Sequence, residues 1–406
     1  MPSEKVEVGF TLTGAAAPFL TLDDPVKGQL DNASWPLGGT VFVDITNDVN
    51  SYSITRGKNR ELDGYQSGEA IVVLNNTRRY YDPLYTASPY YGNIVPKKEI
   101  RISTNNIVEF FGVVSDWNLD YAPGRLDTAT VVADDAFVYL NNQTLSASTA
   151  TVQLSGARIN SVLDAIGYPA STRTIDAGNT TLGADVIPTD QNVLAYFKKI
   201  EQTELGSVFI SKGGNVTFKG RNAIAPTSSA VMLADDGTGI PYQNLKVVYG
   251  SEQLANEIVV SSVVTGSTAT ASDTASQGQY GVFNLTILDL LMNSNDDLVN
   301  VATFLASKYA NPEYRFESLD VRVNDLNTTQ QNQMLNIELG DVVNVKFTPS
   351  NIPPAITQYA QVIRCDHAVD EFGNHYISIG LATLDTSFLV LDDAVFGKLD
   401  ENTLAF

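Results

Sequence analysis

Residues 56–102 read RGKNRELDGYQSGEAIVVLNNTRRYYDPLYTASPYYGNIVPKKEIRI, and the fold turns on how this stretch is parsed. Residues 51–55, just before it, and 70–74, within it, are β-branched runs joined by a polar segment carrying Gly57, Gly64 and Gly68. That composition predicts two strands and a connection. Beyond the second strand, Asn75-Asn76 signals a turn, Arg78 and Arg79 follow, and Asp82-Pro83 and Ser88-Pro89 interrupt any regular element. Tyr80, Tyr81, Tyr85, Tyr90 and Tyr91 therefore fall on an irregular loop. Rings on such a loop gain burial only where it lies against a surface that also satisfies their hydroxyls. Two surfaces qualify, the loop's own domain and a neighbouring subunit. The second makes Arg56, Arg78, Arg79, Tyr80, Tyr81, Tyr85, Tyr90 and Tyr91 subunit-interface candidates.

Outward from this stretch, strands are expected at 41–45, 51–55, 70–74, 99–103, 108–117 and 126–133, with turns between them. The spacing suits a barrel with few free edges, and 136–140 suggests a short closing helix. Residues 1–40 alternate briefly in VEVGFTLTG, then turn small and polar, and read as an arm. Past residue 145 the period changes. SGARINSVLDAIGYP places Ile159, Val162, Leu163 and Ile166 on one helical face, with Ser155 as cap and Gly167 and Pro169 as stop signals. QNVLAYFKKIEQTELG repeats the pattern with Val193, Leu194, Phe197 and Ile200, and SVFISKGGNVTFKG is a hairpin around Gly213-Gly214-Asn215. Residues 266–281, GSTATASDTASQGQYG, read as a flexible loop. A helix at 296–309 buries Leu298, Val301, Ala302 and Leu305. Val321, Val323, Ile337 and the runs 342–347, 360–363 and 376–381 then supply a second set of strands. The resulting division is 1–40 arm, 41–144 first β-barrel-like domain, 145–230 inserted α/β module, 231–320 mixed strand/helix domain, 321–386 second β-barrel-like domain and 387–406 C-terminal arm.

Composition narrows the function. At 406 residues and 43% hydrophobic the chain is several domains long and not disordered. No apolar run is long enough to span a bilayer, and MPSEKVEVGF lacks a signal-peptide pattern, so assembly in the cytoplasm is expected. Cys365 is the single cysteine, which rules out an internal disulfide. Basic residues gather at 56–60, 78–79 and 97–101 among tyrosines, which could imitate a single-strand platform. A net charge of -21 argues against nucleic-acid binding, which needs a basic stripe to displace counterions.

The search for chemistry finds little. His367 and His375, the two histidines, flank a hairpin turn at 371–374. Cys365 and His367 share a strand face, which invites a metal reading with His375. Zinc wants three or four ligands, however, and the turn sets His375 opposite a position nearer Asp370 than His367. No metal is assigned on that ground. A G-x-S-x-G elbow and both phosphate-loop patterns are missing. Paired acids such as Asp134-Asp135 and Asp235-Asp236 point opposite ways in strands and read as turn or cap residues. No catalytic residue and no cofactor is assigned, and enzymatic activity is not expected.

The order of a basic glycine turn, a strand ending in Asn75-Asn76, a Tyr/Pro loop and a basic strand resembles the minor tail proteins of long-tailed, siphovirus-type phages, in particular the hub proteins of the tail tip. LNIELGDVVNVKF at 335–347, with strands near Val362 and at 376–381, is similar to the C-terminal barrel of that family, although many β-barrel modules share the pattern. The resemblance covers most of the chain. It implies a mainly β fold with an α+β insertion: two β-barrel-like tail-hub domains plus a small inserted α/β module. It further implies a structural virion protein, a hub ring that joins the tail tube or distal tail ring to the adsorption apparatus around a DNA exit channel. Implied partners are further copies of the chain in a homotrimer, the distal tail or tail tube protein, the tape measure protein and other minor tail or receptor-binding proteins. A sixfold distal tail protein is the alternative within this class; a host-surface carbohydrate-binding module is the alternative outside it.

The two ends repeat one another. FLTLDDPVKGQLDN (19–32) and FLVLDDAVFGKLDE (388–401) share nine of fourteen positions, namely Phe, Leu, Leu, Asp, Asp, Val, Gly, Leu and Asp in register. Like segments dock on like surfaces, so Phe19, Leu22, Asp23, Asp24, Phe388, Leu391, Asp392 and Asp393 are docking-arm candidates. Three chains with two arms each would offer six equivalent arms to a sixfold neighbour.

Overall fold

The computed structural model describes residues 2–10, 40–61, 63–121, 126–223 and 231–384. The strands of the first part are β1 (Glu4–Gly9), β2 (Phe42–Asp44), β3 (Val49–Gly57), β4 (Gln66–Asn75), β5 (Glu99–Thr104), β6 (Ile107–Asp120) and β7 (Thr128–Asp134), with side chains alternating between buried and more exposed positions most regularly in β3, β4 and β7. Every pairing among them is antiparallel, in the order β3-β4-β7-β6-β5-β1-β2. Ile54, Val72, Leu74, Ile100, Ile102, Phe110 and Val131 meet on the inner face. Residues 4–10, expected in an arm, are instead part of this body. Val6, Val8 and Phe10 are fully buried, because β1 is held between β5 and β2. The docking-arm candidates lie outside the described residues.

The expected second set of strands continues the same sheet. The 14-residue strand Ile356–Val369 pairs along its first half with Val342–Phe347. Along its second half it pairs with β3, Arg364 opposite Gly57 and Val369 opposite Tyr52. His375–Thr383 covers its other edge, followed by Tyr314–Arg322 and Asn244–Tyr249, and Val231–Ala234 lies parallel to Val342–Phe347. Thirteen strands thus form one sheet. Gly57 sits where it bends: its φ of +123° is closed to other residues, and a Cβ there would lie 2.3 Å from the Ile363 carbonyl oxygen.

Between these parts lie helices α1 (Ala136–Asn141), α2 (Ser155–Ala165) and α3 (Val193–Glu204), and the hairpin Ser207–Ile210/Val216–Lys219. Asp135 and Asn192 cap α1 and α3 by accepting from Phe137 N and Ala195 N. Ser155 is not the cap of its helix; its hydroxyl donates to Glu204 instead. Phe197, Ile200, Phe209 and Phe218 join one core with Phe316, Val343, Val362 and Ile379, so the helical module and the later strands share their interior.

Residues 266–281 are ordered, not a loop. They contain the strand Thr268–Ser272, in a three-stranded sheet with Glu257–Ser262 and Asn284–Leu290, and the helix α4 (Thr274–Tyr280). Asp273 caps α4, and Asn256 donates to Ser276 Oγ and Gly281 O, fixing the tract from the opposite strand. The helix α5 (Asn295–Tyr309), capped by Ser294, packs Leu298, Val301 and Leu305 on this sheet. Val323 and Ile337, expected in strands, flank α6 (Thr328–Asn336), whose start is a capping box between Asn327 and Gln330. Among the described residues no helix is long and apolar enough to cross a membrane.

Candidate functional site: the tyrosine loop and a buried polar centre

The Tyr/Pro loop climbs in turns. Arg79 N donates to Asn76 O, Asp82 N to Arg79 O, Tyr85 N to Asp82 O, Ser88 N to Tyr85 O and Tyr91 N to Ser88 O, a bond at every third residue. Side chains lock it: Asn76 Oδ1 accepts from Tyr81 N, Asp82 Oδ1 from Leu84 N, and Ser88 Oγ donates to Tyr80 O. The loop is therefore stiff without being helix or strand.

Its aromatic residues divide by direction. Tyr81 is fully buried, stacked on Trp117 at 6.1 Å, with its hydroxyl donating to Asp48 Oδ2 at 2.9 Å. Burial pushes that hydroxyl's pKa far up. Tyr90 lies against Phe10 at 4.8 Å and Tyr80 meets Tyr90 edge-on. Tyr80, Tyr81 and Tyr90 thus pack on the loop's own body, in the first of the two ways the sequence allows. Outward stand Leu84 at 83% exposure, Tyr91 at 52% and Val95 at 41%. Arg78 pairs with Asp48 and lies over the Tyr80 ring; Arg79 pairs with Asp82 and lies over Tyr85. The Arg79 hydrogen bond holds the Asp82 carboxyl below its usual range. Trp117 Nε1 and Tyr121 Oη fasten the loop to β6 through Val95 O and Asp82 Oδ2.

Arg56 is elsewhere and faces inward. It is buried, donating to Glu338 Oε1 at 2.6 Å and to Ile210 O at 2.8 Å, where β3, the hairpin of the helical module and the turn after α6 converge. A guanidinium so enclosed joins parts of one chain and is not open to a neighbour.

A second constellation lies inside the sheet, and sequence reasoning found only half of it. His375 pairs opposite Val369, and His367 lies two residues before Val369 on the same face. Diagonal neighbours on one face are within reach of long side chains, and His367 Nδ1 is 3.1 Å from His375 Nε2. The turn does set His375 opposite Val369, next to Asp370, as expected; the two imidazoles nevertheless meet, diagonally across the strand pair. Glu109 of β6 points into the same space. Its Oε1 is 3.5 Å from His367 Nδ1 and 3.7 Å from His375 Nε2, and its Oε2 accepts from Tyr52 Oη. Nothing in the sequence near Glu109 marks it; only the pairing of β6 in the sheet brings it here. Cys365, the residue grouped with the histidines from sequence, lies on the far side of the His367 ring, Sγ 3.5 Å from Nε2. Burial raises Glu109 to about 8, lowers His375 to about 4 and lowers His367 well below its ordinary value.

No family model matches the chain, and no curated protein matches it. Solved structures do share its fold. The 43 kDa tail protein of prophage MuSo2 from Shewanella oneidensis aligns with a TM-score of 0.58 at 12% identity, covering 85% of this chain and 96% of that one. The tail protein from Neisseria meningitidis MC58 aligns with a TM-score of 0.57 at 9% identity, covering 94% and 96%. The chain has the fold of phage tail proteins, mainly β with a few helices.

Proposed function

We propose that this protein is a structural component of a phage-type tail, a hub ring at the tail tip that joins the tail tube or distal tail ring to the adsorption apparatus and surrounds the DNA exit channel. The observation that carries the proposal is a fold shared with a prophage tail protein over 85% of the chain and with a second tail protein over 94%. A helical module cored together with the later strands makes a rigid building block. A charge of -21 suits a wall along which DNA passes without adhering. Leu84, Tyr91 and Val95, apolar and exposed on a stiff loop, are the contact that such a block offers to the next copy.

In this reading the chain works as a homotrimer, assembled in the host cytoplasm and carried in the virion at the tail tip. Its two LDD arms reach the distal tail or tail tube protein, and other minor tail, tape measure or receptor-binding proteins attach around it. Native mass spectrometry of the purified full chain tests the ring. Three copies are expected; six copies support a sixfold distal tail ring instead, and a monomer that persists with the neighbouring tail proteins present overturns the proposal.

A further inference from the structure

We propose that Glu109, His367 and His375 bind one divalent first-row transition ion, zinc in the first instance, which fastens the hairpin of strands Ile356–Val369 and His375–Thr383 to β6. Glu109 Oε1, His367 Nδ1 and His375 Nε2 form a triangle with edges of 3.1, 3.5 and 3.7 Å. The circle through the three atoms has a radius of about 2.0 Å, so an ion about 2.1 Å from each, within the range of zinc bonds to imidazole nitrogen and carboxylate oxygen, stands about 0.6 Å off their plane. At that bond length the three edges subtend angles of roughly 95°, 113° and 124°, near those of a tetrahedral face. Two imidazoles and one carboxylate suit zinc, iron, cobalt or nickel and disfavour calcium and magnesium, which take oxygen ligands.

The atoms behind the ligands support the same assignment. A ligating imidazole orients itself by donating its other N–H to an acceptor. His367 Nε2 faces Cys365 Sγ at 3.5 Å, while Glu4 Oε1 stands 3.9 Å from His375 Nδ1, near it but not hydrogen-bonded. Glu109 is held from behind by the Tyr52 hydroxyl on Oε2. Among the described residues Glu109 Oε1, His375 Nδ1 and Glu4 Oε1 have no hydrogen-bond partner, although all three are buried. An orphaned carboxylate oxygen in the interior is costly, and a cation on the ligand side removes that cost while Glu4 completes the outer ring. With Glu109 and Glu4 ionised, a divalent ion leaves the cluster neutral. Cys365 stands behind the His367 ring and is not a ligand.

The test uses full-length protein without a histidine tag. Elemental analysis is expected to find one transition ion per chain. Dialysis against a strong chelator should lower the melting temperature, and added Zn2+ should restore it. Co2+ in place of Zn2+ should give visible bands of a nitrogen- and oxygen-ligated site, a readout that needs no mutant. Glu109→Gln and His375→Ala should each lose the ion; where a variant fails to fold, the Co2+ spectrum of the wild type decides. Metal-free wild-type protein whose melting temperature moves with neither chelator nor Zn2+ overturns the site and leaves a hydrogen-bonded cluster. So does metal that remains bound in both variants. Neither result bears on the ring, which native mass spectrometry tests separately.

Discussion

Arg56 Nη2 lies 2.6 Å from Glu338 Oε1, across a separation of 282 residues. The pair is held by further bonds: Glu338 also accepts from Lys212 N and Leu339 N, and Arg56 donates to Ile210 O. Arg56→Ala should therefore cost about 3–5 kcal/mol, because it removes the charge that balances a largely buried carboxylate and leaves the Ile210 carbonyl without its donor. Arg56→Lys should recover part of the loss. Urea unfolding of the three proteins measures both effects.

Tyr81 and Leu84 sit three residues apart and should behave oppositely. Tyr81→Ala empties a core position and should lower stability by about 3 kcal/mol. Leu84→Asp combined with Tyr91→Asp should leave the melting temperature unchanged yet lower the mass of the assembly on native mass spectrometry. An assembly indifferent to the double change removes the loop from the subunit contact.

Gly57→Ala should destabilise by at least ~2 kcal/mol, since φ of +123° and a backbone carbonyl 2.3 Å away leave the methyl group no place to go. The damage should be local to the sheet bend. Hydrogen exchange should quicken at Thr55 and Arg364, in the two strands that meet there, before it quickens in β5 and β6.

Glu201, buried in α3, carries a pH signature. Burial raises its pKa from 4.5 to about 7, against the pull of Lys58. Between those values the folded protein holds a proton that the unfolded chain releases, so this group makes stability fall as pH rises through the window and level off above it. The slope is at most about 1.4 kcal/mol per pH unit. Glu201→Gln keeps an acceptor for Val208 N and should remove this group's share of the slope, so that the variant exceeds wild type above neutrality and matches it near pH 4.5. Urea unfolding across that range shows it.

The paired arms are testable without knowing their shape. If the proposed docking holds, removing 19–32 and 388–401 together should abolish co-sedimentation with a sixfold tail ring while leaving the chain's own oligomer intact. Normal attachment by the doubly deleted chain rejects the docking role.

Local signals carried much of the fold. β-branched runs between turn signals revealed β3 through β7, and periodic apolar faces revealed α2, α3 and α5, because each is specified within its own dozen residues. Gln330, three residues after Asn327, was a comparable signal for α6, obscured by the polar composition of the helix. The tract 266–281 looked flexible because its order comes from Asn256, a partner outside it. The polar centre is harder still. Which of 46 acidic residues meets the histidines depends on the register of β6 in a thirteen-stranded sheet, and no spacing along the chain encodes that. Tyr81 and Tyr91 look alike in sequence; the stacking partner Trp117, on a different strand, separates them.

The strand Ile356–Val369 also sets an order of manufacture. Asn59 and Arg364, joined by a hydrogen bond, are 305 positions apart. At 5–20 residues per second a ribosome needs roughly 15–60 s to make the chain between them. Through that interval the free edge of β3 offers bare amides and carbonyls to any other strand, including those of sister chains on the same messenger. A chain cut short before residue 356 keeps that edge open and lacks the covering strand, so truncated products are marked for aggregation or proteolysis. Closure of the sheet thus waits on the strand Ile356–Val369, and only a chain that has made it carries a sealed β3 edge.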